Sequence, residues 1–243
     1  MKRTHIEIAG IPAVLWGEQP GGRLFLAVHG NLSHKEDEVI ALFAKEADLA
    51  GSRTLSFDLP GHGARKAGGT ACKVQDCVRD LRTVLDFALE KSDDLGLFAC
   101  SMGAYFSLIA LEDAPIRQAA FLSPVTEMEG LIRGMMQAAG VSEARLQAEQ
   151  EIDTSFGQTL YWDYFCYVRE HPVKRWEAPT EILSGSLDSL CPAAVTADFA
   201  RRFCCGHTVM AGGEHFFHTA GQLEAFRQWL REKVFRGKKE GPM

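Results

Sequence analysis

The sequence lacks the features of a membrane-spanning or nucleic-acid-binding chain. No segment approaches the roughly 20 consecutive apolar residues that a membrane-spanning helix needs. Acidic residues outnumber basic ones, and the formal net charge of −6 argues against the basic face of a nucleic-acid-binding protein. The basic residues Lys2 and Arg3 precede no apolar stretch of the signal-peptide kind, so we predict no secretory signal. We therefore expect neither a membrane span nor a nucleic-acid partner.

The seven cysteines follow neither a disulfide framework nor a metal-ligand spacing. Their number is odd and their spacing irregular, which favours free thiols and a cytoplasmic location. No Cys/His spacing resembles a zinc site, and no motif implies an organic cofactor, so we expect neither. We interpret the adjacent Cys204 and Cys205, beside Phe203, as two core thiols, with a redox-active pair as the alternative.

What the sequence does contain is a regular alternation of strand-like and helix-like segments. The 243 residues are 46% hydrophobic and 24% charged, which suits a single domain spanning residues 1–243. Short apolar runs alternate with amphipathic segments, which predicts an α/β fold with a mostly parallel sheet and helices on both faces. After one or two edge strands within 6–16 and a turn at 18–22, the predicted strands are 23–28, 54–57, 95–99, 118–122, 179–183 and 208–210. The predicted helices are 35–50, 74–91, 102–111 and 223–235, followed by a frayed tail at 237–243.

One region, at about residues 124–178, breaks this alternation. It shows no confident strand and has two helical patterns, 127–139 and 158–170, which are rich in methionine and aromatic residues. We interpret it as a helical cap inserted over the carboxyl edge of the sheet. The candidate substrate-binding residues are Met135, Met136, Tyr161 and Tyr164. The alternative is that these side chains are ordinary core residues.

Ser101 lies alone at the junction between an apolar run, 95–99, and a helix rich in small residues, 102–111. A serine on such a sharp strand-to-helix turn exposes its hydroxyl above the helix, and only small neighbours permit the turn. Gly103 provides one of them, whereas Ala99 stands where the Gly-x-Ser-x-Gly pattern has its first glycine. The alternative is a buried strand–helix junction in which the serine hydroxyl makes a hydrogen bond and has no catalytic role.

A nucleophilic serine needs a base, and the base needs an acid that orients it. His215 follows the last predicted strand and is the leading base, with His218 second. Asp188 also follows a strand and is the leading acid, with Glu127 as the alternative. The chain order of Ser101, Asp188 and His215 is the order of nucleophile, acid and base expected for this architecture.

The other polar residues near the strand ends receive supporting roles. His29 and His62 lie in tight glycine turns and are expected to link these loops by hydrogen bonds, while His207 precedes a strand and should lie at the wrong end of the sheet. Asp58 is interpreted as a turn residue that accepts backbone N–H groups. The backbone N–H groups of Met102 and Asn31 are the candidate donors to a developing oxyanion.

Together these segments resemble the small-capped group of α/β-hydrolase-fold serine hydrolases that contains monoacylglycerol lipases, esterases and serine aminopeptidase-like proteins. The matching segments are 29–30, 58–63, 99–103, 185–188 and 213–217. The resemblance implies an eight-stranded sheet with one antiparallel strand near the N-terminus. It also implies Ser101 as nucleophile, Asp188 as acid, His215 as base, and Asn31 and Met102 as oxyanion donors.

The expected function is hydrolysis of a small apolar carboxylic ester, or a thioester or amide, through an acyl-enzyme on Ser101. An acyltransferase with the same residues is one alternative, since the acyl-enzyme is common to both reactions. A catalytically silent ligand-binding protein of this fold is the other. In each case the expected partner is a small molecule, and the sequence gives no indication of the oligomeric state.

Overall fold

A computed structural model of the protein describes residues 1–18 and 21–236. The predicted turn at 18–22 includes Gln19 and Pro20, which lie outside the described residues, as does the whole predicted tail at 237–243. None of the helices in the described part is long and apolar enough to cross a bilayer.

The strands are β1 (Arg3–Ile8), β2 (Ile11–Trp16), β3 (Leu24–Val28), β4 (Arg53–Phe57), β5 (Leu95–Cys100), β6 (Ile116–Leu122), β7 (Glu151–Asp153), β8 (Thr159–Tyr161), β9 (Thr180–Gly185) and β10 (Gly206–Met210). The α-helices are α1 (Glu38–Leu49), α2 (Val74–Leu89), α3 (Met102–Ala110), α4 (Met128–Ala138), α5 (Glu143–Glu149), α6 (Trp162–Glu170), α7 (Ala193–Arg202) and α8 (Ala220–Trp229). A 3-10 segment covers Gly63–Gly68, and a π turn at Leu230–Val234 extends α8.

Eight of these strands form one sheet in the order β1-β2-β4-β3-β5-β6-β9-β10. β2 runs antiparallel to both of its neighbours, and the remaining strands run in one direction. The predicted mostly parallel eight-stranded sheet with one antiparallel strand near the N-terminus is therefore confirmed. Its parallel strands end at one edge, and the loops that follow β3, β4, β5, β9 and β10 meet there.

Both faces of the sheet are covered by helices, as the near-continuous apolar strands predicted. Leu24 and Leu26 of β3 face a core shared with α2, α3 and α7. Phe25, between them, faces a second core shared with α1 and α8. In that second core the ring of Phe43 from α1 stacks on Phe98 of β5 at a centroid distance of 4.1 Å. The two-residue period of each strand thus divides its side chains between two buried layers.

The segment between β6 and β9 departs from the prediction of helices without strands. It contains a small antiparallel hairpin, in which Glu151 of β7 pairs with Tyr161 of β8. Because β8 occupies 159–161, α6 begins at Trp162 rather than at 158. Each strand has only three residues, too short for an alternating pattern to stand out in the sequence.

Polar contacts join α6 of this segment to the body of the protein. The Asp163 carboxylate accepts hydrogen bonds from Lys73 Nζ at 2.7 Å and from Gln75 Nε2 at 3.0 Å. The Lys73 ammonium also lies 4.6 Å from the ring centroid of Tyr161. The start of α6 is therefore held beside the start of α2.

Two further sequence interpretations need correction. Cys204 is exposed and has a positive φ of 55°, so it is not a core thiol; Cys205 is half-buried. The last helix begins at Ala220, earlier than predicted, because Thr219 and Gln222 form a capping box: Thr219 Oγ1 accepts from the Gln222 N–H, and Gln222 Oε1 accepts from the Thr219 N–H.

Asp58, directly after β4, anchors the loops at the carboxyl edge of the sheet. Its fully buried carboxylate accepts hydrogen bonds from the Lys35 ammonium at 2.6 Å and from the backbone N–H groups of Lys35 and Ala64, each at 2.9 Å. Burial favours the neutral acid, but the hydrogen bond from the Lys35 side chain and the two N–H groups outweigh it, so the pKa of Asp58 lies below its usual value. The predicted role as an acceptor of backbone N–H groups is confirmed, and the ion pair with Lys35 is additional.

We predict that Lys35→Met lowers the free energy of unfolding by about 3 kcal/mol at neutral pH, because it leaves a buried carboxylate without its counterion. Asp58 binds a proton less readily in the folded than in the unfolded wild type, so the stabilisation exists at neutral pH and is lost on acidification below its usual pKa. The deficit of the variant should accordingly shrink as the pH falls. Urea unfolding at several pH values measures it.

Lys45→Met is the matched control, because Lys45 is an exposed residue of α1. We expect it to change stability by less than about 0.5 kcal/mol. Equal stabilities of the Lys35 variant and the wild type would show that the ion pair contributes nothing.

Candidate active site

Ser101 lies on the strand-to-helix turn between β5 and α3 and has a strained backbone. Its φ is 51° and its ψ is −125°, a conformation that a residue with a side chain rarely adopts. Hydrogen bonds fix the peptide groups on both sides: the Ser101 N–H donates to Leu122 O at 3.1 Å, and Ser101 O accepts from the Val125 N–H at 3.0 Å. The end of β6 thus holds the turn in place.

The turn is possible because two glycines allow the backbone to come close. A Cβ on Gly103 would lie 2.4 Å from the backbone oxygen of His29, so α3 approaches β3 too closely for any side chain there. A Cβ on Gly30 would lie 3.0 Å from Cβ of Ser101. Ala99 is fully buried in the core of β5, which accommodates its methyl group. The structure therefore requires glycine two positions after the serine and accepts alanine two positions before it.

The structure brings Ser101, His215 and Asp188 into one chain of hydrogen bonds. Ser101 Oγ lies 2.8 Å from His215 Nε2, and His215 Nδ1 lies 2.8 Å from Asp188 Oδ2. An ionised Asp188 can only accept, so Nδ1 carries the proton and Nε2 is left to accept from the serine hydroxyl. This is the geometry in which a histidine can take a proton from a serine.

Asp188 is oriented by its own loop. Its second oxygen, Oδ1, accepts from the Leu190 N–H at 3.0 Å and from the Cys191 N–H at 2.7 Å. Its side chain is fully buried and that of His215 nearly so. These two hydrogen bonds stabilise the buried carboxylate and leave Oδ2 facing the imidazole.

The loops that carry Asp188 and His215 are locked to each other. A Cβ on Gly185, at the end of β9, would lie 2.2 Å from the backbone oxygen of Gly213. That same oxygen accepts a hydrogen bond from the Leu187 N–H at 2.8 Å. The contact between β9 and β10 therefore continues into both loops and holds Asp188 close to His215.

Among the described residues, the alternative bases and acids take no part in the hydrogen bonds of Ser101 Oγ and the His215 ring. The side chain of His218 is 63% exposed, and its Nδ1 donates to Phe216 O at 2.8 Å. His207 lies in β10 with Nε2 2.8 Å from Ser184 Oγ. Glu127 is exposed at the start of α4.

The two remaining loop histidines link the glycine turns, as predicted. His29 Nδ1 donates to Gly30 O at 2.7 Å, and its Nε2 accepts from the Leu59 N–H at 3.0 Å. Burial lowers the pKa of His29 to about 4, so it is neutral and suits this donor–acceptor pattern. His62 Nε2 donates to Asn31 Oδ1 at 3.1 Å, which joins the loop after β4 to the loop after β3.

Asn31 and Met102, the two candidate oxyanion donors, each directly follow a residue at the serine turn, namely Gly30 and Ser101. Met102 is the first residue of α3, so its N–H has no partner within the helix and lies at the positive end of the helix dipole. Asn31 follows Gly30, which abuts the serine. The Asn31 side chain also donates to Gln158 Oε1 at 3.5 Å, which brings the β7–β8 hairpin beside this loop. Sequence reasoning missed Gln158, since a polar residue next to a short strand carries no signal.

The four candidate substrate-binding residues all pack against or bond to other parts of the protein. Met136 is buried in the main core, and Met135 packs partly buried against it. The Tyr164 hydroxyl donates to the sulfur of Met128 at 3.7 Å, and the ring of Tyr161 lies under the Lys73 ammonium. A role of these residues in binding substrate remains a prediction.

Several exposed apolar side chains, which we call the apolar rim, are close in the sequence to the residues of the candidate site. Its members are Leu32, Leu187, Leu190 and Phe216. Leu32 is 82% exposed and follows Asn31, while Phe216 is 52% exposed and follows His215. The ring of Phe216 lies 5.0 Å from the imidazole of His215. Sequence reasoning missed the rim, because single apolar residues in loops are usually assigned to the core.

One group of side chains in the described residues has the composition of a metal site, namely Asp188, Cys191 and His215, whose ligand atoms lie within 4.8 Å of one another. Burial raises the pKa of the Cys191 thiol to about 12, so the thiolate that a metal prefers is disfavoured. Both oxygens of Asp188 already accept hydrogen bonds. The group fits the serine–histidine chain better than it fits a metal.

Comparisons with known proteins agree with this architecture. The family model of the alpha/beta hydrolase family matches residues 25–236. Est1E from Butyrivibrio proteoclasticus, solved with ferulic acid bound, is 20% identical over 94% of this chain and 96% of its own, with a TM-score of 0.74. Alpha/beta hydrolase domain-containing protein 10 from mouse is 14% identical over 95% and 97%, with a TM-score of 0.72.

An alpha-beta serine hydrolase homologue from Coxiella burnetii is 20% identical over 96% of this chain and 97% of its own, with a TM-score of 0.65. No curated protein sequence matches the chain. At these identities the solved structures show the α/β-hydrolase fold and nothing finer.

We predict that Gly103→Ala destabilises the protein by about 2 kcal/mol, because the added Cβ would push α3 away from the backbone of β3. Thermal or urea unfolding measures the change. Gly134→Ala is the control: Gly134 lies inside α4 with open space around its Cα, so the same substitution should stabilise by up to about 1 kcal/mol. Equal effects at both positions would contradict the close approach at Gly103.

Proposed function

The chain belongs to the alpha/beta hydrolase family, and from this we propose that it is a serine hydrolase that cleaves small apolar carboxylic esters through an acyl-enzyme on Ser101. One observation carries the proposal: Ser101, on a strained turn, is hydrogen-bonded to His215, which is hydrogen-bonded to the buried Asp188. Thioesters and small amides react by the same steps and belong to the same proposal.

In the first half of the proposed reaction, Ser101 Oγ attacks the carbonyl carbon of the ester. His215 Nε2 accepts the hydroxyl proton, and Asp188 stabilises the resulting imidazolium without taking the proton itself. The backbone N–H groups of Met102 and Asn31 donate to the oxyanion, and the helix dipole of α3 adds to this stabilisation. His215 then gives its proton to the leaving alcohol.

In the second half, water replaces the alcohol. His215 accepts a proton from that water, hydroxide attacks the acyl carbon, and the acid product leaves as Ser101 recovers its proton. Transfer of the acyl group to another alcohol or amine would use the same intermediate. Product analysis with and without such an acceptor separates the two reactions.

We propose that the segment 124–178 acts as a cap beside this site. Two contacts support the idea: Gln158 near the hairpin accepts a hydrogen bond from Asn31, and Asp163 at the start of α6 bonds to Lys73 and Gln75. A cap in this position would exclude large substrates and admit small ones. It also gives Met135, Met136, Tyr161 and Tyr164 a place from which some of them line the acyl site.

The preference for an apolar substrate is supported by the apolar rim. Leu32, Leu187, Leu190 and Phe216 offer exposed carbon surface on the loops that carry Asn31, Asp188 and His215, and the ring of Phe216 lies 5.0 Å from that of His215. Est1E, which was solved with ferulic acid, makes aryl esters reasonable substrates to test. The free cysteines of the described residues suit a cytoplasmic location, where such a small molecule would be met.

We predict that an alkyl fluorophosphonate labels the protein and that Ser101→Ala abolishes the labelling. His215→Ala should slow it by several orders of magnitude, because the serine hydroxyl loses its base, and Asp188→Asn should slow it by a similar amount. His218→Ala should react at nearly the wild-type rate, since its exposed ring bonds to Phe216 O and the serine hydroxyl bonds to His215. In-gel fluorescence over time measures the rates.

Ser189→Ala is the matched control, an exposed serine next to Asp188 that should leave labelling unchanged. A folded wild-type protein that takes no label would support the ligand-binding alternative. Equal losses in the His215 and His218 variants would show that the base is wrongly assigned, and an unaffected Asp188→Asn would direct attention to Glu127.

We predict that Phe216→Ser flattens the dependence of kcat/KM on acyl length across p-nitrophenyl acetate, butyrate and octanoate. Each methylene placed against apolar surface contributes about 0.8 kcal/mol, so losing this ring should reduce the rate on longer esters several-fold and hardly affect acetate. Leu49→Ser is the control, because Leu49 is equally apolar and 68% exposed but ends α1 at the opposite edge of the sheet. Identical profiles for both variants would remove the rim from substrate selection.

A further inference from the structure

Two cysteines meet outside the Ser101 site, at the start of α2. Cys72 precedes the N-cap residue Lys73, and Cys77 is the fourth residue of the helix. Their Sγ atoms are 3.5 Å apart. These are the positions of a hydrophobic staple, where two apolar side chains fix the entry of the chain into a helix. Packing alone would be served by any apolar pair, but only two cysteines at this distance can also form a covalent bond.

The two thiols have opposite character. The hydrogen bond from Cys77 lowers the pKa of Cys72 to about 6, and His62 and Arg65 act in the same direction. Burial raises the pKa of Cys77 well above its usual value. Cys72 is half-buried, whereas Cys77 is fully buried. The pair therefore combines an accessible thiolate with a protonated thiol behind it, which is the arrangement of an attacking and a resolving cysteine.

His62 provides the positive partner of Cys72. Its Nδ1 faces Pro60 O at 2.9 Å and its Nε2 faces Asn31 Oδ1 at 3.1 Å, so both ring nitrogens meet acceptors and both donate. Burial alone would lower the pKa of His62, but the negative charge of the nearby Cys72 thiolate and the hydrogen bond to Pro60 O outweigh it and raise the pKa. An imidazolium beside a thiolate is a mutually stabilising pair.

We propose that Cys72 and Cys77 form a hydroperoxide-reactive dithiol whose disulfide loosens the Asn31 loop. The Cys72 thiolate attacks one oxygen of a hydroperoxide: an S–O bond forms, the O–O bond breaks, and the leaving oxygen departs with a proton as an alcohol or water. The Cys77 thiol then attacks Cys72 Sγ; the S–S bond forms, the S–O bond breaks, and water leaves with the thiol proton. Two thiols lose two electrons in total, and the hydroperoxide gains them.

The link to the Ser101 site runs through His62. Disulfide formation removes the thiolate that faces the imidazolium, and His62 is the residue that donates to Asn31 Oδ1. The parts of the β4–α2 connection that carry His62 and Cys72 are in tight contact, since a Cβ on Gly61 would lie 2.7 Å from Thr70 O and 3.7 Å from the backbone nitrogen of Cys72. A change at Cys72 therefore reaches Asn31 within a short chain of contacts. This consequence rests on the proposed function, in which the Asn31 N–H binds the oxyanion.

The test treats the folded full-length chain with hydrogen peroxide, blocks the remaining thiols with iodoacetamide, and maps the peptides without reduction. The expected result is a peptide pair linked through Cys72 and Cys77, with the chain losing two of its seven thiols. In Cys72→Ser no linked pair should form and Cys77 should stay reduced. Cys166→Ser, which removes a half-buried thiol of α6, should form the linked pair as the wild type does. In Cys77→Ser, which keeps a hydrogen-bond donor beside Cys72 but has no resolving thiol, Cys72 should stop at the sulfenic acid and react with dimedone.

Peroxide that leaves Cys72 unmodified, or that oxidises the other cysteines first, would overturn the dithiol site. The hydrolysis of p-nitrophenyl acetate reads out the consequence: the oxidised chain should be slower several-fold and recover with dithiothreitol. A linked chain with undiminished turnover would overturn the coupling to Asn31. A reduced chain without esterase activity would contradict the proposed function, and the thiol count would still decide on the dithiol.

Discussion

The positive φ of Ser101 is the constraint on which the rest of the site depends. A residue with a side chain adopts this conformation only when its surroundings overdetermine it. Here β6 binds the Ser101 N–H, the following loop binds its carbonyl, and Gly103 lets α3 press against β3. If any of these contacts were released, the turn would relax and the hydroxyl would move away from His215. The strain is thus maintained by the sheet, and the sheet is stabilised by two buried cores.

A second set of contacts holds the loops at the same edge. Asp58, paired with Lys35, ties the loop after β4 to the residues that precede α1. His29, kept neutral by burial, ties the end of β3 to Leu59. Gly185 and Gly213 bring the loops of Asp188 and His215 into contact. The side chains of the candidate site therefore lie on loops held by contacts with their neighbours, which is the preorganisation that the proposed reaction requires.

Much of this could be predicted from the sequence because the signals are local. The apolar runs of β3 and β5 predicted parallel strands covered on both faces, and this is confirmed. The sequence also placed Ser101 at the strand-to-helix turn and His215 after the last strand. Both placements depend on segments with strong periodicity on either side, which limits where the loops between them can begin and end.

The features that the sequence did not predict are those decided by distant contacts. The β7–β8 hairpin has strands of three residues, and its pairing depends on tertiary structure rather than on a pattern. The apolar rim consists of single exposed residues. Cys204 is exposed on a turn with a left-handed backbone conformation, which a cysteine in the sequence does not predict. The contact of Gln158 with Asn31 joins residues that are far apart in the chain.

The proposed reaction requires that Ser101 becomes acylated during turnover. Rapid acid quench of the protein with p-nitrophenyl acetate, followed by peptide mass spectrometry, detects this acyl-enzyme. We expect a transient acetyl group on the peptide that contains Ser101, formed within the first turnover and lost as the substrate is exhausted. Steady release of p-nitrophenol with no acetyl group on that peptide, or with the group on another residue, would contradict it.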